Sequence, residues 1–271
     1  MELLKSIRDL YLPVQPTVKQ TGEKVVYREV VPSEQLSPFI YCYWQLKTIS
    51  SLDENFIYRV VADGCIDIFF ELERPQESFV MGFCKKYTEF PLEPEFHYVG
   101  IRFLPTMFPQ LFGVDASELS NRYEDLILIH KRTQQFLSQS MNQKLSFEEI
   151  KERLDVYFLN HLADVEWNLD SRLYAAINQV LKTQGLLRVQ NDLDVGLSER
   201  QLRRLFKYYV GDSVKTFSKV VRFQNILRAK PSVQSLKRNK LFFDSGYYDQ
   251  SHFIKEFRNH YGVTPSKAFG R

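Results

Sequence analysis

The sequence predicts an α+β protein, in which an amino-terminal antiparallel β sheet or small barrel with helices precedes an all-α carboxyl-terminal region. Three observations support this class. Short segments rich in β-branched and aromatic residues fill residues 25–105, and Pro, Gly, Asp and Glu separate them. From residue 106 onward, apolar residues follow the spacing of amphipathic helices. The end of the chain then holds one short helical pattern twice.

Five segments carry the strand pattern, and their regular spacing favours an antiparallel sheet or a small barrel. They are residues 41–46, 56–61, 65–70, 78–81 and 97–103. Asp63 and Gly64 lie between the second and third segments, and this pair is a signal for a tight hairpin turn. We therefore expect a hairpin at this point.

Three helices are predicted to follow the strands. They cover residues 106–112, 126–137 and 147–162. Gly113 closes the first, and Ser146 begins the third with Glu149 three residues on, which is a capping-box arrangement. The second and third helices either form a dimer interface or pack on the sheet, and packing on the sheet is favoured.

Charge is distributed unevenly on the two sides of a polar segment, residues 164–170, which is the expected domain junction. Residues 171–271 carry 19 Lys and Arg against 7 Asp and Glu, a net charge of +12, whereas the first 170 residues carry −9. We therefore expect a regulatory, sensor-like domain over residues 1–165, with a helical extension over about 120–165. Residues 171–271 are expected to bind a polyanion.

Several classes of site and location are not supported by the sequence. No stretch approaches the ~20 apolar residues of a membrane span, and charges interrupt the amino terminus, so we expect no membrane partner and no secretion signal. Three widely spaced thiols fit a cytoplasmic protein: Cys42, Cys65 and Cys84. The His residues of the first half lack the paired spacing of metal ligands: His97, His130 and His161. Without a phosphate-binding Gly-rich loop or a Ser/His/Asp signature, we expect no metal, no cofactor, no catalytic residues and no enzymatic activity.

Two copies of one pattern lie 51 residues apart in the basic region. Each has a glycine before a polar capping residue, then apolar residues at helical spacing and a closing glycine. The matching pairs are Ser198 and Asp249, Leu202 and Phe253, Phe206 and Phe257, and Gly211 and Gly262. A duplicated capped helix of this kind is typical of two helix-turn-helix units. The helices predicted in this region are 171–183, 188–195, 198–209, 213–229, 233–243, 249–260 and a short one after Pro265.

The first repeated helix has an apolar face and, opposite it, a cationic face. Leu202, Phe206 and Tyr209 share the apolar side. The opposite side carries four cations: Arg200, Arg203, Arg204 and Lys207. Arg donates two hydrogen bonds to a guanine edge or pairs with phosphate, so this face is predicted to contact double-stranded DNA. Ser198 is the expected helix cap.

The second repeated helix, with Asp249 as its expected cap, has a more mixed outer face. That face carries Ser251, Ile254, Lys255 and Arg258. An exposed Ile is suited to a thymine methyl group. The alternative is that both helices merely have solvated basic faces, which the duplication inside a +12 segment disfavours. The helix 213–229 is expected to hold the two units about one DNA turn, ~34 Å, apart.

These residues resemble the AraC/XylS family of bacterial transcription regulators, and the second unit is the more similar. Its residues 246–257, followed by 261–265, are similar to that family's signature. The resemblance implies two helix-turn-helix motifs joined by a long linker helix. It places base-facing positions on Arg200, Arg203, Arg204, Gln250, Ser251, His252, Ile254 and Lys255. The sequence departs from the family where Ala or Pro is usual, at Asp192, Phe242 and Val214.

The amino-terminal half more faintly resembles an uncharacterised sensor-like domain found before such DNA-binding units, over about residues 25–130. The resemblance implies a regulatory domain but no particular ligand. Trp44 is a candidate for lining an apolar effector pocket, although an ordinary core position is favoured. Arg102, at the end of an apolar strand, needs an anionic partner. That partner is either Asp63 or Asp67 or the carboxylate of a ligand, and a structural salt bridge is favoured.

Together these patterns predict a cytoplasmic, sequence-specific DNA-binding transcription regulator, in which the helices 198–209 and 249–260 enter successive segments of the major groove. The first domain is expected to control activity through an effector or through dimerisation. The candidate partners are double-stranded DNA, a small-molecule effector, a second copy of the chain and, for an activator, RNA polymerase. The alternative is a ligand-binding or enzymatic β barrel whose helical half is a protein-interaction module.

Overall fold

The computed structural model describes residues 2–16, 24–187, 193–230 and 246–269. Its larger sheet has six antiparallel strands in the order β1-β2-β7-β4-β5-β8. They are β1 (Val25–Val30), β2 (Ile40–Thr48), β4 (Ile66–Glu71), β5 (Ser78–Met81), β7 (His97–Phe103) and β8 (Tyr123–Asp125). A second, two-stranded ribbon pairs β3 (Phe56–Val60) with β6 (Thr88–Leu92). The predicted antiparallel sheet is confirmed, and the strands β1, β6 and β8 are additions to the predicted set.

The predicted hairpin at Asp63 and Gly64 is wrong. β3 pairs with β6, whereas β4 pairs with β5 and β7, so the chain passes from one sheet to the other here. Asp63 Oδ1 accepts a hydrogen bond from the Cys65 amide at 3.0 Å, and Gly64 has a φ of 76°. Gln15 bonds to the main chain of Val61 and to the Asp63 carboxylate. These contacts stabilise a corner between the two sheets. A glycine with positive φ is compatible with such a corner as well as with a hairpin turn.

The two faces of the six-stranded sheet pack against different layers. Successive side chains of a strand point to opposite faces. On one face, Tyr43, Ile68 and Ile101 are buried in the main core, which the helices cover. On the other face, Trp44 and Leu46 pack with the β3–β6 ribbon in a separate cluster. The central strands therefore contribute to two cores.

Helices α2 (Met107–Phe112) and α5 (Phe147–Ala163) cover the main-core face of the sheet. The ring of Phe158 on α5 lies 5.7 Å from that of Phe103 on β7. The Tyr43 hydroxyl donates a hydrogen bond to Asp155 of α5 at 2.9 Å. α5 thus packs on the sheet, as the sequence favoured.

The helix predicted over residues 126–137 is divided into α3 (Leu126–Ile129) and α4 (Lys131–Ser140). His130 separates them, with a backbone φ of −151°. Its Nδ1 accepts a hydrogen bond from the Thr133 amide at 3.3 Å, so His130 caps α4. A side-chain cap begins a new helix inside an otherwise continuous apolar pattern.

The carboxyl-terminal helices are α6 (Ser171–Lys182), α7 (Glu199–Val210), α8 (Val214–Ala229), α9 (Gln250–Tyr261) and α10 (Pro265–Phe269). The helix predicted over 233–243 and most of that over 188–195 lie outside the described residues, as do Asp192 and Phe242. Val214 is the first residue of α8 and is buried. Within the described ranges, each helix is either too short or too polar to cross a membrane.

The packing continues across the predicted domain junction. Helix α1 (Glu2–Leu10) contacts α6, and Ser6 Oγ donates a hydrogen bond to Asn178 at 2.6 Å. Tyr11, which follows α1, stacks on Phe217 of α8 with ring centroids 6.2 Å apart. Buried side chains of the sheet, α6, α7 and α8 form one cluster. The amino-terminal segment therefore ties the β sheet to the helical region.

Candidate nucleic-acid interface and cavity

Local hydrogen bonds hold α7 at both ends. Ser198 Oγ accepts from the Gln201 amide at 3.3 Å, and the Gln201 side chain accepts from the Ser198 amide at 3.1 Å. Gly211, with a φ of 105°, donates its amide to the carbonyls of Phe206 and Lys207, both at 3.1 Å. This reciprocal cap sets the first residue of the helix, and it therefore also sets which way each side chain points.

One side of α7 is buried and the other is cationic. Leu202, Phe206 and Tyr209 are buried, and the Phe206 ring lies 6.1 Å from that of Phe217 on α8. The predicted DNA-contact residues of this helix are all exposed: Arg200, Arg203, Arg204 and Lys207. Within the described part of the chain, none of these four forms an ion pair. Four solvated cations on one face make a surface of positive potential that attracts a polyanion.

Helix α9 begins at a carboxylate cap and has a more varied outer side. Asp249 Oδ1 accepts from the His252 amide at 2.7 Å, and Gly262 ends the helix with a φ of 94°. Phe253, Phe257 and His260 are buried. The predicted contact residues of this helix are exposed: Gln250, Ser251, His252, Ile254, Lys255 and Arg258.

A buried carboxylate joins α9 to α8. Glu256 lies 2.7 Å from Lys219 Nζ and 3.8 Å from His252 Nε2. Burial alone would raise the pKa of Glu256, but the hydrogen bond and charge of Lys219 hold it below the ordinary value. His252 is exposed, and its ring lies beside this buried carboxylate.

Main-chain hydrogen bonds join the end of α9 to the β3–β6 ribbon. The Ala62 amide, just after β3, donates to the His260 carbonyl at 3.1 Å. The Tyr87 amide, just before β6, donates to the Asn259 carbonyl at 3.2 Å. The attachment of α7 is different, because Asp212 beyond its end meets Lys85 through side chains at 3.4 Å.

A cavity of about 300 Å³ lies between the second face of the six-stranded sheet and the β3–β6 ribbon. Most of its lining is apolar, and Trp44 contributes to it, so this candidate effector residue does face a cavity. Asp63, Asp67 and Arg102 add charge to the wall. A mostly apolar cavity with a few convergent polar groups is the usual form of a small-molecule site.

Arg102 is buried and its anionic partners belong to the chain itself. Its guanidinium lies 3.0 Å from Asp67, 3.6 Å from Asp63 and 3.5 Å from Glu29. The favoured salt bridge is thus confirmed, with Glu29 as an additional partner. Burial alone would lower the pKa of Arg102, but the nearby charges, those of Asp67 and Asp63 among them, raise it. Burial raises the pKa of Asp67 above its ordinary value, against the opposing charge of Arg102.

Part of the cavity comes from strands that the sequence did not suggest. Phe90, Pro91 and Leu92 of β6 and Tyr123 of β8 belong to the lining. In the sequence, the Glu and Pro residues around β6 resemble the separators between strands. The alternation of residues in 88–92 was the available signal, because Pro is tolerated in an edge strand.

Among the described residues, no group of three or more His, Cys, Asp and Glu is placed to hold a metal ion. Cys42, Cys65 and Cys84 are buried, unpaired thiols.

Two family models match separate parts of the chain. Residues 28–125 match a domain of unknown function (DUF6597), and residues 194–271 match a helix-turn-helix domain. No curated protein matches the chain.

Several solved structures of one bacterial protein are similar to the chain. A variant of ToxT from Vibrio cholerae in its apo form has a TM-score of 0.42 and 14% identity, over 83% of this chain and 97% of that chain. ToxT from Vibrio cholerae O395 has a TM-score of 0.39 and 12% identity over the same shares. A ToxT structure bound to (E)-4-(8-methylnaphthalen-1-yl)but-3-enoic acid has a TM-score of 0.36 and 12% identity, over 91% of this chain and 97% of that chain.

The helix-turn-helix match covers both repeated helices, α7 and α9, and the part of the basic region from residue 194 onward. The chain therefore joins a domain of unknown function to an AraC-type helix-turn-helix domain, the kind of domain that binds DNA in transcription regulators.

Proposed function

We propose that this protein regulates transcription by sequence-specific DNA binding, with α7 and α9 inserted in successive segments of the major groove. The observation that carries the proposal is the outer face of α7. Its four exposed cations lie opposite the buried stripe of the same helix and have no ion-pair partner among the described residues. A helix seated in this way presents its charged side chains to a groove as one surface.

The proposed division of contacts follows the two outer faces. Arg203 and Arg204 are suited to bidentate hydrogen bonds with guanine or to pairing with phosphate. On α9, Gln250 is suited to adenine and Ile254 to a thymine methyl group. Helix α8 keeps the two units in fixed relation, since it packs against both and is buried over most of its length.

Control by the amino-terminal half is the second part of the proposal. The β3–β6 ribbon forms one wall of the cavity, and the residues beside its two strands donate main-chain hydrogen bonds to the end of α9. A ligand that moves the ribbon therefore moves the groups that position α9. The coupling free energy is the binding free energy of the ligand to the DNA-bound protein minus its binding free energy to the free protein.

The partners in this proposal are double-stranded DNA and a small-molecule effector. A second copy of the chain and, for an activator, RNA polymerase are further partners expected of such a regulator. Ile127, Leu128 and Val156 are exposed apolar residues on α3 and α5. They are the first positions to substitute when self-association is measured by analytical ultracentrifugation.

The test of the proposal is a matched pair of double variants. A preferred site is first selected from random DNA with the full chain, and affinity for it is measured by fluorescence anisotropy. Arg203→Ala with Arg204→Ala should weaken specific binding, by about 1–3 kcal/mol for each lost bidentate contact. Lys131→Ala with Lys144→Ala removes the same charge from exposed positions of the first half and should leave affinity unchanged.

Two outcomes would contradict the proposal. Equal affinity of the Arg203→Ala, Arg204→Ala variant and the unaltered chain would mean that α7 does not read DNA. An absence of DNA retention even at low salt would favour the alternative, in which the helical half is a protein-interaction module. A DNA-binding chain should instead lose affinity steeply as salt rises, because counterions are released from phosphates on binding.

A further inference from the structure

The charges on the cavity wall do not balance. Within the described part of the chain, the charged residues that line the cavity are Asp63, Asp67 and Arg102. Two carboxylates thus face one guanidinium, and Arg102 has a third carboxylate, Glu29, at 3.5 Å. The buried cation is already neutralised without a ligand, so the cavity wall has a surplus of negative charge.

Asp67 keeps capacity to accept a further hydrogen bond. Its Oδ2 accepts from Trp44 Nε1 at 2.9 Å and from Arg102 Nη2 at 3.0 Å. Arg102 Nε is shared between Oδ1 and Oδ2, at 3.2 Å from each, and it is the one donor to Oδ1 among the described residues. An ionised carboxylate offers about four acceptor sites, so one site on Oδ1 is left for a donor inside the cavity.

The rest of the lining suits the body of an apolar cation. Aromatic rings come from both layers, with Trp44, Phe69 and Tyr98 on the sheet and Tyr58 and Phe90 on the ribbon. Ring faces attract a cation, and the attraction is stronger where water is excluded. The volume of about 300 Å³ holds a small organic molecule of one or two rings.

An anionic ligand fits this cavity poorly. Its carboxylate would have to compete with Asp63 and Asp67 for Arg102. The displaced carboxylate would then be buried without a partner, which is strongly unfavourable. A neutral ligand would leave the surplus charge uncompensated, whereas a cation offsets it.

We infer that the cavity binds an apolar organic cation, whose charge lies against Asp63 and Asp67 and whose body lies among the aromatic rings. This inference rests on the proposed function, because it names the chemical class of the effector. The ligand donates to Asp67 Oδ1 and displaces water from the space beneath the β3–β6 ribbon.

Three probes of the same shape and different charge test the inference on the full-length protein. They are naphthylethylammonium, naphthylethanol and naphthylpropanoate, and binding is followed by titration calorimetry. The ammonium should bind about tenfold more tightly than the alcohol, and the carboxylate should bind most weakly. Equal binding of ammonium and alcohol, tighter binding of the carboxylate, or no binding of the ammonium would each overturn the inference.

Two variants locate the charge that selects the cation. Asp67→Asn should remove most of the preference for ammonium over alcohol, while Arg102 keeps Asp63 and Glu29. Glu29→Gln is the matched control, because Glu29 also pairs with Arg102 but does not line the cavity, and it should keep the preference. If Asp67→Asn fails to fold, the order of the three probes on the unaltered protein still decides the outcome.

DNA affinity, measured with and without the ammonium probe, separates this inference from the proposed function. Ammonium binding without any change in DNA affinity supports the ligand class and contradicts control of α9 through the ribbon. DNA binding by a protein that binds none of the probes overturns the ligand class alone.

Discussion

Helices α7 and α9 are copies of one pattern, yet they differ in the side chains on their outer faces and in their contacts with the rest of the protein. Both begin at a side-chain cap, end at a glycine with positive φ and bury a phenylalanine at the matching position. Every predicted contact residue on the outer face of α7 is a cation, whereas those of α9 are a mixture of polar, apolar and cationic side chains. The end of α9, in addition, is bonded through main-chain groups to the β3–β6 ribbon.

The difference shows which parts of a repeat the fold requires. The cap, the buried stripe and the closing glycine are needed to seat each helix, so they are shared. The outer face meets solvent in the free protein and is available to diverge. We therefore expect α7 to supply more of the affinity for DNA and α9 to supply more of the discrimination, together with the response to a ligand.

The largest expected effect concerns the two buried phenylalanines. Phe257 is surrounded by the rings of Phe223, Phe253, Tyr261 and Phe269 at 5.3–5.9 Å. Among the described residues, Phe206 pairs with one ring, that of Phe217, at 6.1 Å. Truncation of a buried Phe to Ala costs about 3–5 kcal/mol. Phe257→Ala should fall at the upper end of that range and Phe206→Ala at the lower end.

Urea unfolding of the full chain, followed by circular dichroism, measures both losses of unfolding free energy. Lost aromatic pairs add to the cost of lost burial. Phe206→Ala should therefore lose less unfolding free energy than Phe257→Ala. A greater loss for Phe206→Ala would mean that the seat of α7, and not the ring cluster of α9, is the better packed.

A smaller effect is expected from removing the cations of each outer face. Arg203→Ala with Arg204→Ala should weaken DNA binding more than Lys255→Ala with Arg258→Ala, although both pairs remove two charges. Removal of a residue that contacts only phosphate should reduce the magnitude of the slope of log affinity against log salt by about one. Anisotropy titrations at several salt concentrations give both quantities.

Equal losses for the two pairs would contradict the expected division between affinity and discrimination. All four side chains are exposed. The unfolding midpoints of the two double variants should therefore stay close to that of the unaltered chain, and this comparison is the folding control.

The smallest effect is expected at Ile254, which is 36% exposed on the outer face of α9. Ile254→Ala should lower affinity for a site with thymine at the contacted position by about 0.8 kcal/mol, the value of one buried methyl-sized group. The same variant should bind equally to thymine and uracil at that position. A thymine preference that survives Ile254→Ala would assign the methyl contact to another residue.

Much of the helical region was predictable because its signals are local. Ser198 and Asp249 lie one residue before α7 and α9, and in both copies the closing glycine donates its amide to the carbonyl four residues earlier. A helix is specified by residues within a few positions of each other. The division at His130 was missed because the apolar periodicity passes through it, and only the Thr133 amide reveals the cap.

The β region was predictable as a class but not as a pairing. The segments that became β2, β4 and β7 were identified, whereas β6 was missed and the turn at Asp63 was assigned to a hairpin. Strand pairing joins residues far apart in the chain, such as Arg59 of β3 with Glu89 of β6. A local turn signal therefore does not say which strand becomes the neighbour.

The sequence by itself determined the capped repeat, the cationic face of α7 and the need of Arg102 for an anion, since each follows from residue types and short spacing. Tertiary structure decided the rest. It placed both Asp63 and Asp67 beside Arg102 and added Glu29 of β1, so that the partners came from two separate segments of the chain. It also set the β3–β6 ribbon over the sheet and against α9, because distant segments meet only when burial of their apolar faces outweighs the entropy of closing the chain between them.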